Sequence, residues 1–182
     1  MNVYPYDRRR AYRYALRWAY RRNPLFFDFT GSGGNCTNFV SQCIYAGCCT
    51  MNFTDTFGWY YISPDDRAPA WTGVEFLYNF LTVNAGVGPY GREVELSELE
   101  TGDVVQLRRE DGDYYHTLIV TGRDVGEILV AAQSNDAFNR PLSTYDFAAA
   151  RGIHIDGYRV DGERCDCFEG LFTGQELVTC RR

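Results

Sequence analysis

Gly31-Ser-Gly-Gly-Asn-Cys-Thr-Asn-Phe-Val-Ser-Gln-Cys-Ile-Tyr-Ala-Gly47 reads as a glycine-rich loop running into a short helix, with Cys36 at the junction. Asn35 is a good N-cap, since its side chain can accept from an unpaired N–H of the first turn. Cys36 then falls in that turn, where free amides and the helix dipole favour an anion, and a thiolate is one. Cys36, Phe39, Val40, Cys43, Ile44 and Gly47 recur at three- and four-residue steps, so Cys36 faces the body of the protein. Such a residue is either a buried structural cysteine or a nucleophile.

The chain has 182 residues, enough for one domain with a full core. The net charge of −6 argues against general nucleic-acid binding. All 18 basic residues are arginine, and seven of them fall in the first 22 residues against the single carboxylate Asp7. Residues 5–22 read as a helix with Ala11, Tyr14, Ala15, Trp18 and Ala19 as the apolar stripe and arginines elsewhere. Such a helix is expected to dock on the acidic body rather than lie on a membrane. Asn23-Pro24 ends it.

The seven cysteines stand at 36, 43, 48, 49, 165, 167 and 180, an odd number that leaves at least one thiol free or paired between chains. No C-x-x-C pair occurs and only two histidines exist, so no metal site is expected, nor any cofactor. No apolar run is long enough to span a membrane. The N-terminus lacks the apolar stretch of a secretion signal. As written, the chain is expected in the cytoplasm, or in the extracellular space or cell wall if a leader has been removed.

Trp71, Val74, Leu77, Tyr78 and Leu81 mark a further core-facing helix. From about residue 92 the pattern turns to strands, at 104–107, 116–121, 128–133 and 152–160. Helices in front and an antiparallel sheet behind make an α+β layout.

A cysteine nucleophile needs a base, and His116 and His154 are the candidates. His154 sits between Ile153 and Ile155, the setting of a structural histidine, so His116 is preferred. Pairing the strands around the loop 123–126 sets His116 opposite Gln133, Leu118 opposite Ala131 and Val120 opposite Leu129. A two-residue slip brings Asn135 opposite His116 instead. Gln133 or Asn135 would then fix the imidazole tautomer, and Asp136 joins them only if the strand ends at Ser134. A helix-borne cysteine, a strand-borne histidine and a polar residue on the next strand is the order found in papain-like thiol hydrolases.

At these residues the chain resembles the bacterial putative amidase domain family. That family's signature G-D-C-T-N-F-V-S-Q-C-L-Y-A-G is matched by Gly34-Asn-Cys-Thr-Asn-Phe-Val-Ser-Gln-Cys-Ile-Tyr-Ala-Gly47. Tyr6-Asp-Arg8, Arg22-Asn-Pro24, Gly58-Trp-Tyr-Tyr61, Pro69-Ala-Trp71, Gly102-Asp103, His116 and Arg140-Pro-Leu142 extend it. The resemblance implies a papain-like α+β fold over about residues 1–160, akin to the CHAP and NlpC-type cell-wall amidases. It implies Cys36 as nucleophile and His116 as base, acting on peptide or peptidoglycan stem amides through a thioester. Residues 161–182 lie outside it and read as an added flap or a disordered end. The chain departs from the family at Asn35, where Asp is usual, and at Gln133-Ser-Asn-Asp136, where His-x-x-Asp is usual. That departure motivates a second expectation, a binding or scaffold module of the same fold with weak or no catalysis. A third is an acyltransferase in which an amine replaces water.

Overall fold

The computed structural model describes residues 1–179. The expected central helix forms as α2 (Cys36–Cys48), ending where Cys49 adopts a left-handed backbone. It is buried at every position, not only along the expected stripe. Its polar residues must therefore find partners inside. Gln42 accepts from the Tyr14 hydroxyl at 2.7 Å, and Ser41 accepts from the Trp59 indole and donates to the Trp71 carbonyl. Asn38 accepts from the Trp71 indole at 2.9 Å. The Asn-x-x-Ser-Gln polarity of the motif is thus the inner wiring of a helix with no solvent face.

The N-terminal helix α1 (Arg8–Trp18) is shorter than the expected 5–22, because Asp7 caps it by accepting from the Arg10 amide at 3.0 Å. The segment leading into α1 passes α2 closely at Gly47, where a Cβ would meet the Tyr6 ring at 2.2 Å and whose carbonyl accepts from the Asp7 amide. Helices α3 (Pro69–Thr72) and α4 (Val74–Val83) complete this layer. No helix among the described residues is long and apolar enough to cross a membrane.

Behind lies an antiparallel sheet of β1 (Asn2–Tyr4), β2 (Gly88–Val94), β3 (Val104–Arg108), β4 (Tyr114–Asp124), β5 (Glu127–Ala132), β6 (Ala137–Pro141) and β7 (Ala149–Val160). The order is β1-β7-β3-β4-β5-β6, with β2 also paired to β7. The expected α+β layout is therefore present, with β1, β2 and β6 as strands the sequence pattern did not mark. One face of the sheet carries Val104, Ile119, Ala131 and Ile153 into the main core with α1, α2 and α4. The other carries Val105, Leu107, Leu118, Val120 and Val130 into a smaller core closed by Leu99 and Leu142.

The β4–β5 register differs from expectation by one residue. The turn is two residues long, Val125-Gly126, both with positive φ, so Asp124 pairs with Glu127. A bulge between Val120 and Gly122 then sets Ile119, not Leu118, opposite Ala131. A one-residue slip reverses which face each side chain takes.

The described part of the C-terminal extension packs on the body. Helix α5 (Phe168–Thr173) buries Phe168 and Leu171 in the main core. A disulfide joins Cys49, at the end of α2, to Cys167. Arg13 and Arg17 of α1 stack on the Phe172 ring at 4.9 and 5.1 Å. Among the described residues Cys36, Cys43 and Cys48 are free, Cys165 is in a disulfide, and Cys180 lies outside them.

Candidate functional site

Cys36 opens α2, as the glycine loop suggests, and is 9% exposed. Asn35 does not cap the helix with its side chain. Its Oδ1 accepts from the Phe29 amide at 3.0 Å and from the Asn38 amide group at 2.8 Å, and its Nδ2 donates to Gln133 Oε1 at 2.5 Å. Those bonds close the loop beneath the helix and leave first-turn amides uncapped by Asn35, a donor cluster suited to a carbonyl oxygen or an anion.

The two other free thiols are shut away. Burial pushes the Cys43 thiol well above its ordinary value and Cys48 up to about 12. Neither supplies a thiolate near neutral pH.

The four polar residues after β5 organise the entrance to α2. Gln133, 1% exposed, accepts from Asn35 and donates to the carbonyls of Trp18 and Arg21 at 2.7 and 2.8 Å. Its side chain is fully engaged there. Ser134 Oγ accepts from the Asn35 amide at 2.6 Å. Asn135 occupies the left-handed turn and is exposed. Asp136 is held by Arg22 through two bonds of 3.0 Å. These residues tie the loop to α1 and to the start of α2, where the expected hairpin had Gln133 facing His116.

His116 lies on the other side of the sheet. It pairs with Leu107, alternates with Leu118 and Val120 of the smaller core, and stacks near Tyr115 and Tyr145 at 6.0 and 5.9 Å. Its neighbour Thr117 points to the helices instead, with its hydroxyl 2.9 Å from that of Thr37 in α2. The two neighbours therefore straddle the sheet, which separates His116 from the face that carries Cys36 and Gln133. Burial first, and then the Arg140 charge, lower the His116 imidazole to about 4. His154 is elsewhere again, its Nδ1 2.8 Å from Asp103 beside Arg8.

On the Cys36 side lies a second polar chain that the reading of the sequence above did not include. The Cys36 sulfur lies 3.8 Å from the Thr37 hydroxyl, which meets Thr117. Gln106 donates to Thr117 at 3.4 Å and accepts from Arg151, which also pairs with Glu75 at 2.9 Å. Arg151 is buried between the Tyr78 and Tyr114 rings, 3.6 and 3.7 Å away. Arg151, next to Gly152 at the start of the predicted strand 152–160, was the available signal. An open cavity of about 620 Å³ lies next to this chain, lined by Gly33 of the glycine loop, Glu75, Arg109, Asp113 and Tyr114. No group of three or more His, Cys, Asp or Glu among the described residues could hold a metal ion.

A family model described as a putative amidase domain matches residues 5–155. The chain is also similar to the uncharacterized protein YhbB of Bacillus subtilis (strain 168), at 34% identity over 152 residues. That match takes in 81% of this chain and 47% of the relative, so the chain spans about half the relative's length. No solved structure matches.

Proposed function

The chain belongs to the putative amidase domain family, and we propose that it is a papain-like module that binds an amide-bearing ligand at the start of α2 and hydrolyses it weakly or not at all. Family membership points to hydrolysis of amides. The ligand class that suits this reading is a peptide or peptidoglycan stem, with its carbonyl oxygen at the first-turn amides and its flanking residues along the cavity by Gly33 and Tyr114. The disulfide between Cys49 and Cys167 favours work in an oxidising compartment.

The observation that carries the reduced activity is the sidedness of the sheet. A thiol nucleophile needs a proton acceptor within hydrogen-bond reach or through one water. Gln133, on the Cys36 face, is an amide already committed to Asn35, Trp18 and Arg21. His116, an imidazole, is on the opposite face with Leu118. The resemblance noted in the sequence also implies a histidine where this chain has Gln133.

The family match and the first-turn position of Cys36 favour a second reading, efficient amide hydrolysis. There the Cys36 sulfur attacks the amide carbonyl, the C–N bond breaks, the amine leaves with a proton, and water hydrolyses the thioester. That sequence needs an acceptor for the thiol proton on the α2 face.

Gln133→Ala and Gln133→His variants separate the readings, assayed on stem-peptide amides and by the iodoacetamide rate at Cys36. The reduced reading expects little turnover from the parent. It expects an increase on the order of 10²-fold in Gln133→His, where an imidazole gains access to the Cys36 face, and none in Gln133→Ala. A parent that turns over rapidly and is silenced by His116→Ala would sink it in favour of the second reading.

A further inference from the structure

We infer that the outer face of α1 is a binding groove for a linear phosphate-bearing polyanion, independent of the Cys36 site. The seven N-terminal arginines divide into two groups. Arg8 pairs with Asp103 and Glu100, Arg10 with Asp166 and Asp7, and Arg22 with Asp136 and Asp28. Among the described residues Arg9, Arg13, Arg17 and Arg21 make no ion pair with a carboxylate. In a chain of net charge −6, four uncompensated guanidinium groups on one helix and its following turn form a local concentration of positive charge.

Shape and spacing define the partner. Arg13, Arg17, Arg21, Leu16, Tyr20 and Phe172 line an open groove of about 520 Å³ with no carboxylate in its wall. Stacking on Phe172 holds the Arg13 and Arg17 planes in place, which reduces the ordering a ligand must impose. Residues four apart on a helix are separated by about 6 Å along its axis, so Arg9, Arg13 and Arg17 spread over about 12 Å. That spread suits successive phosphates of a chain better than a single anion, and guanidinium forks suit phosphate oxygens. A membrane surface is a poorer fit. The apolar face of α1 (Ala11, Tyr14, Ala15, Trp18) is already buried in the core and has nothing to insert.

Fluorescence anisotropy of labelled inorganic polyphosphate with the full chain tests this. Binding at 50 mM salt is expected, weakening roughly 20-fold at 200 mM if three charges are neutralised. Arg13→Gln/Arg17→Gln/Arg21→Gln is expected to lose at least tenfold in affinity. Leu16→Glu adds a carboxylate to the groove at a half-exposed position without touching the stacked rings, and is expected to lose a similar amount with an unchanged melting temperature. No binding by the parent, salt-independent binding, or full affinity in Leu16→Glu would each overturn the inference. So would binding to phosphatidylglycerol vesicles in place of polyphosphate. The amidase and alkylation assays of Cys36 are not read here, so either proposal can fail alone.

Discussion

His116 is expected to titrate in the direction opposite to that of an imidazole paired with a catalytic thiolate. Its ordinary value is about 6.5. Burial against Tyr115 and Tyr145, reinforced by the Arg140 charge, holds it at about 4 in the folded protein. The unfolded chain therefore takes up a proton below about pH 6.5 while the native state stays neutral until about pH 4. Stability is lost as the pH falls through this window, and the loss levels off below the folded value. At pH 4.5 the site alone should cost about 2.5 kcal/mol relative to pH 7. With only 8% of the residue exposed, solvent screening takes little from that figure. Urea unfolding of the parent and of His116→Gln at both pH values isolates the effect. The parent's drop should exceed the variant's by about that amount. Proton NMR of the imidazole between pH 5 and 8 should show no titration. An imidazole that titrates at or above 6.5, or equal drops in the two proteins, would refute the assignment of His116 to the smaller core. It would return His116 to candidacy as the base, because a neighbouring thiolate raises an imidazole.

Two further outcomes probe the frame around the site. Gly47→Ala drives a methyl into the Tyr6 ring, and should lower stability by about 1–3 kcal/mol and the melting temperature with it, with the Tyr6 ring and the segment leading into α1 displaced from α2. Reduction of the Cys49–Cys167 bridge, which closes a span of 118 residues, should cost on the order of 4–5 kcal/mol by chain entropy. Limited proteolysis after reduction should cut first between Val160 and α5, and an unchanged cleavage pattern would show that packing alone holds α5.

The helix that begins at Cys36 was legible because its signals agree: glycines before it and inward apolar steps along it as far as Gly47. The strands 104–107, 116–121, 128–133 and 152–160 were legible from their apolar runs. Sidedness was not. Alternation shows that His116, Leu118 and Val120 share a face, but not which face meets the helices. Packing of Thr117 and Ile119 against the helices decides that, and the bulge at Thr121 with the short Val125-Gly126 turn decides which β5 residues join them; neither leaves a mark in the apolar pattern. Asn35 was misread for a related reason. A cap and a loop-closing amide look the same in sequence, and only the proximity of Gln133, Phe29 and Asn38 selects between them. Which cysteines pair is likewise a matter of distance in the fold, and spacing in the chain does not reveal it.

Strand β7 sets the order in which this chain can be completed. It pairs with β1 at Asn2↔Val160, with β2 at Gly91↔Ile155 and with β3 at Val104↔Ile153. During synthesis the first strand thus has no edge to join until residue 160 has emerged from the ribosome. Until then β3, β4 and β5 can pair among themselves, while β1, and one side each of β2 and β3, wait for a partner made last. Sheet closure is a late, long-range event and should be the slow step of folding. Truncations before Val160 would leave open strand edges of the kind that recruit neighbouring chains, and should aggregate rather than persist as a smaller domain.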